Sequence, residues 1–145
     1  MSATITVARN EILALLKAAM DANGAFSAVV KIYQDSDKTP PDDGTTSWVE
    51  ISVLHNPDGT QSSLGGATSG RKFLRTGVVV VKVMTPKGGG LNTSDALCTI
   101  LLGAYEGQTT ASGVWFRNVG LVEVGNDGKY HQTNVIASFE YEEHK

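Results

Sequence analysis

The chain has 145 residues, with 12 Lys and Arg against 15 Asp and Glu, so its formal net charge is −3. At 41% hydrophobic and 19% charged it is apolar enough to build one domain over residues 1–145, which excludes a disordered tail. The slight acidity argues against sequence-specific nucleic-acid binding, no run approaches the ~18 apolar residues of a membrane span, and no basic-then-apolar leader opens the chain, which together predict a soluble intracellular protein.

Between Thr4 and Ala22 the apolar residues Ile5, Ile12, Leu15, Leu16, Ala19 and Met20 recur near the helical period, and Asn23-Gly24 supplies a left-handed stop. Ala28–Tyr33 then reads as a short strand. Two prolines and four carboxylates between Asp35 and Gly44 make a loop. Trp48–Leu54 alternates, with Val49, Ile51 and Val53 on one face and Trp48, Glu50 and Ser52 on the other. Asn56-Pro57-Asp58-Gly59 is a turn in which glycine is expected to take the positive φ. The Ser/Thr/Gly-rich stretch from Gly59 to Gly70 reads as a mobile connection.

A third strand spans Lys72 to Thr85, and its Val78–Val81 run predicts a central strand covered on both sides. A second helix follows Gly88–Gly90, with Asn92 as expected N-cap and Asp95 three residues on. Leu97, Ile100, Leu101, Ala104 and Tyr105 form its stripe, and Gly107 ends it. Val114–Val124 and Tyr130–Tyr141 flank Gly125-Asn126-Asp127-Gly128, a hairpin signal. The order α-β-β-β-α-β-β predicts an α+β fold, with two helices packed on one face of a mainly antiparallel or mixed sheet.

No catalytic, cofactor or metal constellation emerges. Gly65–Lys72 departs from a phosphate loop, since Arg71 stands for the lysine, Lys72 for the hydroxyl, and a strand follows where a helix belongs. Cys98 falls mid-helix as a small apolar residue and has no partner for a disulfide within the chain. His55, His131 and His144 are scattered, and the acidic loop Asp35–Asp43 is interrupted by prolines. The chain is therefore expected not to be an enzyme.

Charge is uneven along the sequence. Arg71, Lys72, Arg75, Lys82 and Lys87 cluster without an acid, whereas Glu123, Asp127, Glu140, Glu142 and Glu143 dominate the end. Opposite charge on different elements suits self-association, one subunit's basic strand meeting the next one's acidic strand. Trp48, on the polar face of its strand, is a candidate interface aromatic, or cover for a helix or loop.

The joint pattern Trp48-Val-Glu-Ile-Ser, Gln61-Ser-Ser-Leu-Gly65, Gly70-Arg-Lys-Phe-Leu-Arg75-Thr-Gly77, Gly113-Val-Trp-Phe116, Gly128-Lys-Tyr130 and Phe139-Glu-Tyr-Glu142 resembles a bacteriophage-related family, DUF4128. That family is similar to tail terminators of long-tailed phages. The resemblance implies a structural protein that forms a hexameric ring, or a monomer that closes only on the tube. The ring caps the completed tail tube and offers the surface that docks the head. Its implied partners are further copies of the chain, the tail-tube protein and a head-neck protein, and its implied places are the host bacterial cytoplasm and the virion tail. A neck protein or a tail-tube subunit is the alternative. On charge and loop length, Trp48, Arg71, Lys72, Arg75, Lys87, Glu140, Glu142 and Glu143 are the expected subunit or partner contacts, and the 55–71 connection is expected to reach along the ring axis.

Overall fold

A computed structural model describes residues 4–63 and 70–144. Helix α1 (Ile5–Asp21) begins at Thr4, whose Oγ1 accepts from the Val7 N–H at 3.2 Å and satisfies one orphan donor of the first turn. Its buried stripe is Ala8, Ile12, Leu16 and Met20, spaced four apart, while Ile5 stays exposed. The helix does not end on a left-handed glycine. Ala22 caps it in right-handed geometry, Asn23 Nδ2 donates to the Ala19 carbonyl at 2.6 Å, and Gly24 opens a 3-10 turn that seats Phe26 in the core.

Strands β1 (Val30–Tyr33), β2 (Trp48–His55), β3 (Thr60–Ser63), β4 (Lys72–Pro86), β5 (Trp115–Asn126) and β6 (Tyr130–His144) form one sheet in the order β1-β2-β4-β6-β5, with β3 alongside β4. Four of its five pairings are antiparallel; β1 runs parallel to β2. That parallel step needs a crossover of a dozen or so residues, which the Pro- and Asp-rich segment 34–47 provides without a helix. β3 corrects the expectation of a purely loop-like 59–70 connection; residues 64–69 of that stretch lie outside the described residues.

β4 is the spine, paired with β6 over fifteen positions from Lys72↔His144 to Pro86↔Tyr130. Strand alternation sends Val49, Ile51, Val53, Val79, Val81, Val83, Val135, Ala137 and Phe139 to one face, all buried. α1 and α2 (Asn92–Tyr105) pack on that face through Ile12, Leu16, Leu97, Leu101 and Tyr105. Burying roughly 25 cal/mol of free energy per Å² of apolar surface there is the main force holding the two layers together. Tyr105, fully buried, donates its hydroxyl to the Ile12 carbonyl at 3.1 Å and so ties α2 to α1. Both helices lie on this one face, so Val78 and Val80 on the other are only half-buried, contrary to the expectation of cover on both sides.

α2 also departs from its expected start. Leu91 is the cap residue, with no side-chain hydrogen bond, and Asn92 is the first helical position. Its end matches the expectation: the Glu106 N–H returns to the Leu102 carbonyl and Gly107 takes φ +71°. Gly59 has no positive φ; its bare Cα instead leaves room for the Arg75 guanidinium.

Candidate assembly surfaces

The basic residues of β4 and the acidic residues of β6 meet within the chain. The antiparallel register places Arg75 opposite Tyr141 and Leu74 opposite Glu142, so basic and acidic side chains meet on the diagonal. Arg75 Nε and Nη2 both donate to Glu143 Oε1, at 3.2 and 2.9 Å, and Glu143 is only 8% exposed. Lys72 Nζ lies 3.6 Å from Glu142 Oε2 on the opposite, solvent-facing side. Glu140 pairs with Arg117 of β5, which also stacks 4.2 Å over the Trp115 ring. Arg117 was missed because its partner lies on a neighbouring strand, at a spacing that sequence alone does not fix. Arg71 and Lys87 sit exposed at the two ends of β4. Of the charges expected to join two subunits, Lys72, Arg75, Glu140, Glu142 and Glu143 are thus paired within one chain.

A second polar cluster lies under α1, on the helix side of the sheet. Arg9 Nη2 donates to the Val53 carbonyl at 3.3 Å and approaches His55 Nδ1 at 3.3 Å. A guanidinium only donates, so Nδ1 carries the lone pair and Nε2–H faces the Tyr141 hydroxyl at 2.8 Å. Burial first, then the Arg9 and Arg75 charges, hold the His55 pKa below its usual value, against a smaller opposing pull from Glu143. The imidazole ring also meets Phe139 and Tyr141 edge-on. The cluster fastens the first turns of α1 to the end of β2.

Trp48 is 6% exposed and belongs to a small core on the face away from the helices, with Ile32, Met84 and Tyr130. The 34–47 crossover is strapped over this face. Tyr130 donates its hydroxyl to Asp43 Oδ1 at 3.1 Å and accepts from the Gly44 N–H at 3.2 Å. Lys129 Nζ reaches the Asp42 carbonyl at 3.1 Å. Asp43 also caps the Thr45 and Thr46 N–H groups, and these bonds hold its carboxyl far below the usual carboxylate range. Trp48 meets edge-on the ring of Tyr130, the residue that anchors the crossover.

Two surfaces are left bare, at opposite edges of the sheet. Past the bulge at Arg117–Gly120, where Asn118 takes φ 53°, β5 exposes Leu121, Val122 and Val124 at 45%, 50% and 55%. Leu121 pairs with Val135 on the helix side and Val122 with Asn134 on the other, so this stretch is uncovered on both faces. At the β1 edge, an open cavity of about 570 Å³ is lined by Arg9, Leu13, Tyr33, Gln34, Asp35 and Ile51. A groove sharing Leu13 and Tyr33 continues along α1 past Asn10, Ala14 and Lys17. Periodicity marks this segment as a strand but does not show that it is an edge.

Among the described residues no three His, Cys, Asp or Glu side chains converge as metal ligands, and no helix is long and apolar enough to cross a membrane. Cys98 is buried on α2, where burial pushes its thiol pKa up.

No protein-family model matches the chain. No curated protein sequence matches it. The fold itself has solved relatives. One solved chain is 15% identical with a TM-score of 0.66, the match covering 95% of each chain. Another, from the virion of a native gene transfer agent particle, is 18% identical with a TM-score of 0.50, over 96% of this chain and 99% of that one. At these identities the likeness is one of fold: two helices on one face of a mixed sheet, matched over nearly the whole chain in both cases.

Proposed function

We propose that the chain is a structural component of a phage-type particle, a tail terminator that closes as a ring on the finished tail tube and presents the surface to which the head docks. The observation that carries this reading is the fold likeness to a gene transfer agent virion chain over 96% of this one. The tail-terminator resemblance of the sequence, running from Trp48 to Glu142, points the same way. A cap of this kind works by geometry. Copies related by a rotation that divides the circle evenly close on themselves, and growth stops when one face of the ring repeats the tube's interface and the other does not.

Electron microscopy of particles made with this gene disabled tests the proposal. Overlong, headless tails of variable length are expected. Tails of normal length that fail to join heads would reassign the chain to the neck, absence of tails would make it a tube or initiator subunit, and unchanged particles would remove it from tail assembly.

A further inference from the structure

We propose that the bare stretch of β5 around Leu121, Val122 and Val124 docks against the β1 edge of a second copy of this chain, head to tail. The inference rests on reading the chain as a self-assembling component and gives that assembly its subunit contact.

Sheet order supplies the first argument. β5 pairs only with β6 and β1 only with β2, so each leaves one edge open. Thr109 bridges Trp115 at the start of β5, but from Gly120 onward that edge is free among the described residues. β1 and β2 run together, and each later neighbour in the order reverses, so β5 runs opposite to β1. Two copies turned about an axis along their strands therefore bring β5 of one beside β1 of the next in antiparallel polarity, the commoner pairing. An exposed apolar edge strand is otherwise a liability that folded proteins remove.

Shape and charge supply the second. Three apolar side chains stand out from β5, and the β1 edge offers a cavity and groove walled by Leu13, Ala14, Tyr33 and Ile51. Glu123, exposed between Val122 and Val124, has no ion-pair partner among the described residues. Near the receiving edge, Lys31 Nζ donates to the Phe26 carbonyl at 3.0 Å and Lys38 Nζ to the Lys31 carbonyl at 3.4 Å; among the described residues neither forms an ion pair, although the Lys31 charge acts on Asp21 from a distance. Glu123 of the incoming copy complements them; the acids on the same rim are Asp35, in the cavity wall, and exposed Asp37. A symmetric β5-to-β5 contact would instead bring the two Glu123 carboxylates into one interface.

Two single variants and their mixture test the contact in the full chain. Val122→Glu disables the projecting edge and Ala14→Arg fills the groove; both positions are exposed, so each monomer is expected to melt like the parent. In sedimentation velocity up to several hundred micromolar, the parent is expected to self-associate and each variant to associate at least about tenfold more weakly. An equimolar mixture keeps one intact edge and one intact groove, and is expected to give a heterodimer that grows no further. A parent that stays monomeric, a mixture that stays monomeric, or an Ala14→Arg variant that associates like the parent would each overturn the proposal. Tail phenotype is read separately: a chain that complements in the mixture yet leaves tails unchanged on gene disruption keeps this contact and loses the terminator role.

Discussion

Gly77 and Phe139 face each other across β4 and β6, and the phenyl ring fills the space a side chain at position 77 would need. A Cβ placed there would lie 2.8 Å from Phe139 Cε2 and would also strike the Leu54 carbonyl of β2. Close approach is thus what glycine provides on this strand, since its φ is ordinary. Gly77→Ala is expected to destabilise the fold by about 1–3 kcal/mol through overpacking, read from denaturant midpoints at unchanged m-value. Phe139→Leu in the same background should recover part of the loss by vacating the clash.

The ion pairs divide by burial. Arg75 and Glu143 have side-chain exposures of 26% and 11%, against 66% and 56% for Lys17 and Asp21. Glu143→Gln is expected to cost about 1.5–3 kcal/mol, because it removes the charged acceptor of two guanidinium donors. Asp21→Asn should cost clearly less than Glu143→Gln and become silent in high salt. Equal losses for the two variants would contradict this ordering.

His55 sets a pH dependence whose sign follows from its depressed pKa. The unfolded chain takes up the proton near pH 6.5, whereas the folded chain resists until lower pH, so the unfolded state binds more protons between those values. Stability is therefore expected to be full above about pH 6.5 and to decline as pH falls through that window. The groups facing the imidazole are Arg9 from α1, Arg75 from β4, and Tyr141 and Glu143 from β6. Chemical denaturation of His55→Gln across this range should show a flatter profile than the parent.

The two tryptophans report different surfaces. Acrylamide is expected to quench Trp115, which is 40% exposed, far more than Trp48, which is buried. Tyr130→Phe removes the hydroxyl that joins the crossover to the β6 start, so it should raise the quenching of Trp48 and speed proteolysis within 35–47. Unchanged cleavage would mean the Lys129–Asp42 contacts suffice.

Much of this architecture was legible from periodicity. The stripe of α1, the alternation of β2 and the hairpin β5–β6 each carry their own pattern. β3 does not: Thr60-Gln-Ser-Ser63 is polar throughout and becomes a strand because β4 extends alongside it to Lys72. The parallel placement of β1 was equally hidden, since a four-residue strand carries no sign of its partner's direction. For the candidate contacts, charge in the sequence told which residues carry opposite signs, but only register decides whether they meet within a subunit. Arg75 and Glu143 share the helix side of the sheet, whereas Lys72, Glu140 and Glu142 share the other, and each acid finds its base in its own chain. The exposed β5 residues carry no mark of an edge in the sequence, and the sheet order alone shows that they lie on one.

The position of β6 has a consequence for how the chain comes into being. This strand is the last of the sheet in chain order, yet it lies inside the sheet between β4 and β5, facing α2 as well. Until it emerges, the valines of β4 have only β2 beside them and the apolar side of α2 has no complete sheet to close on. Closure of the sheet thus waits for the last strand in chain order, and pairings that join residues from 44 to 72 positions apart make it slow for a domain of this size. A nascent chain from which β6 has not yet emerged would hold most of its core residues with no closed core, the kind of species that chaperones bind.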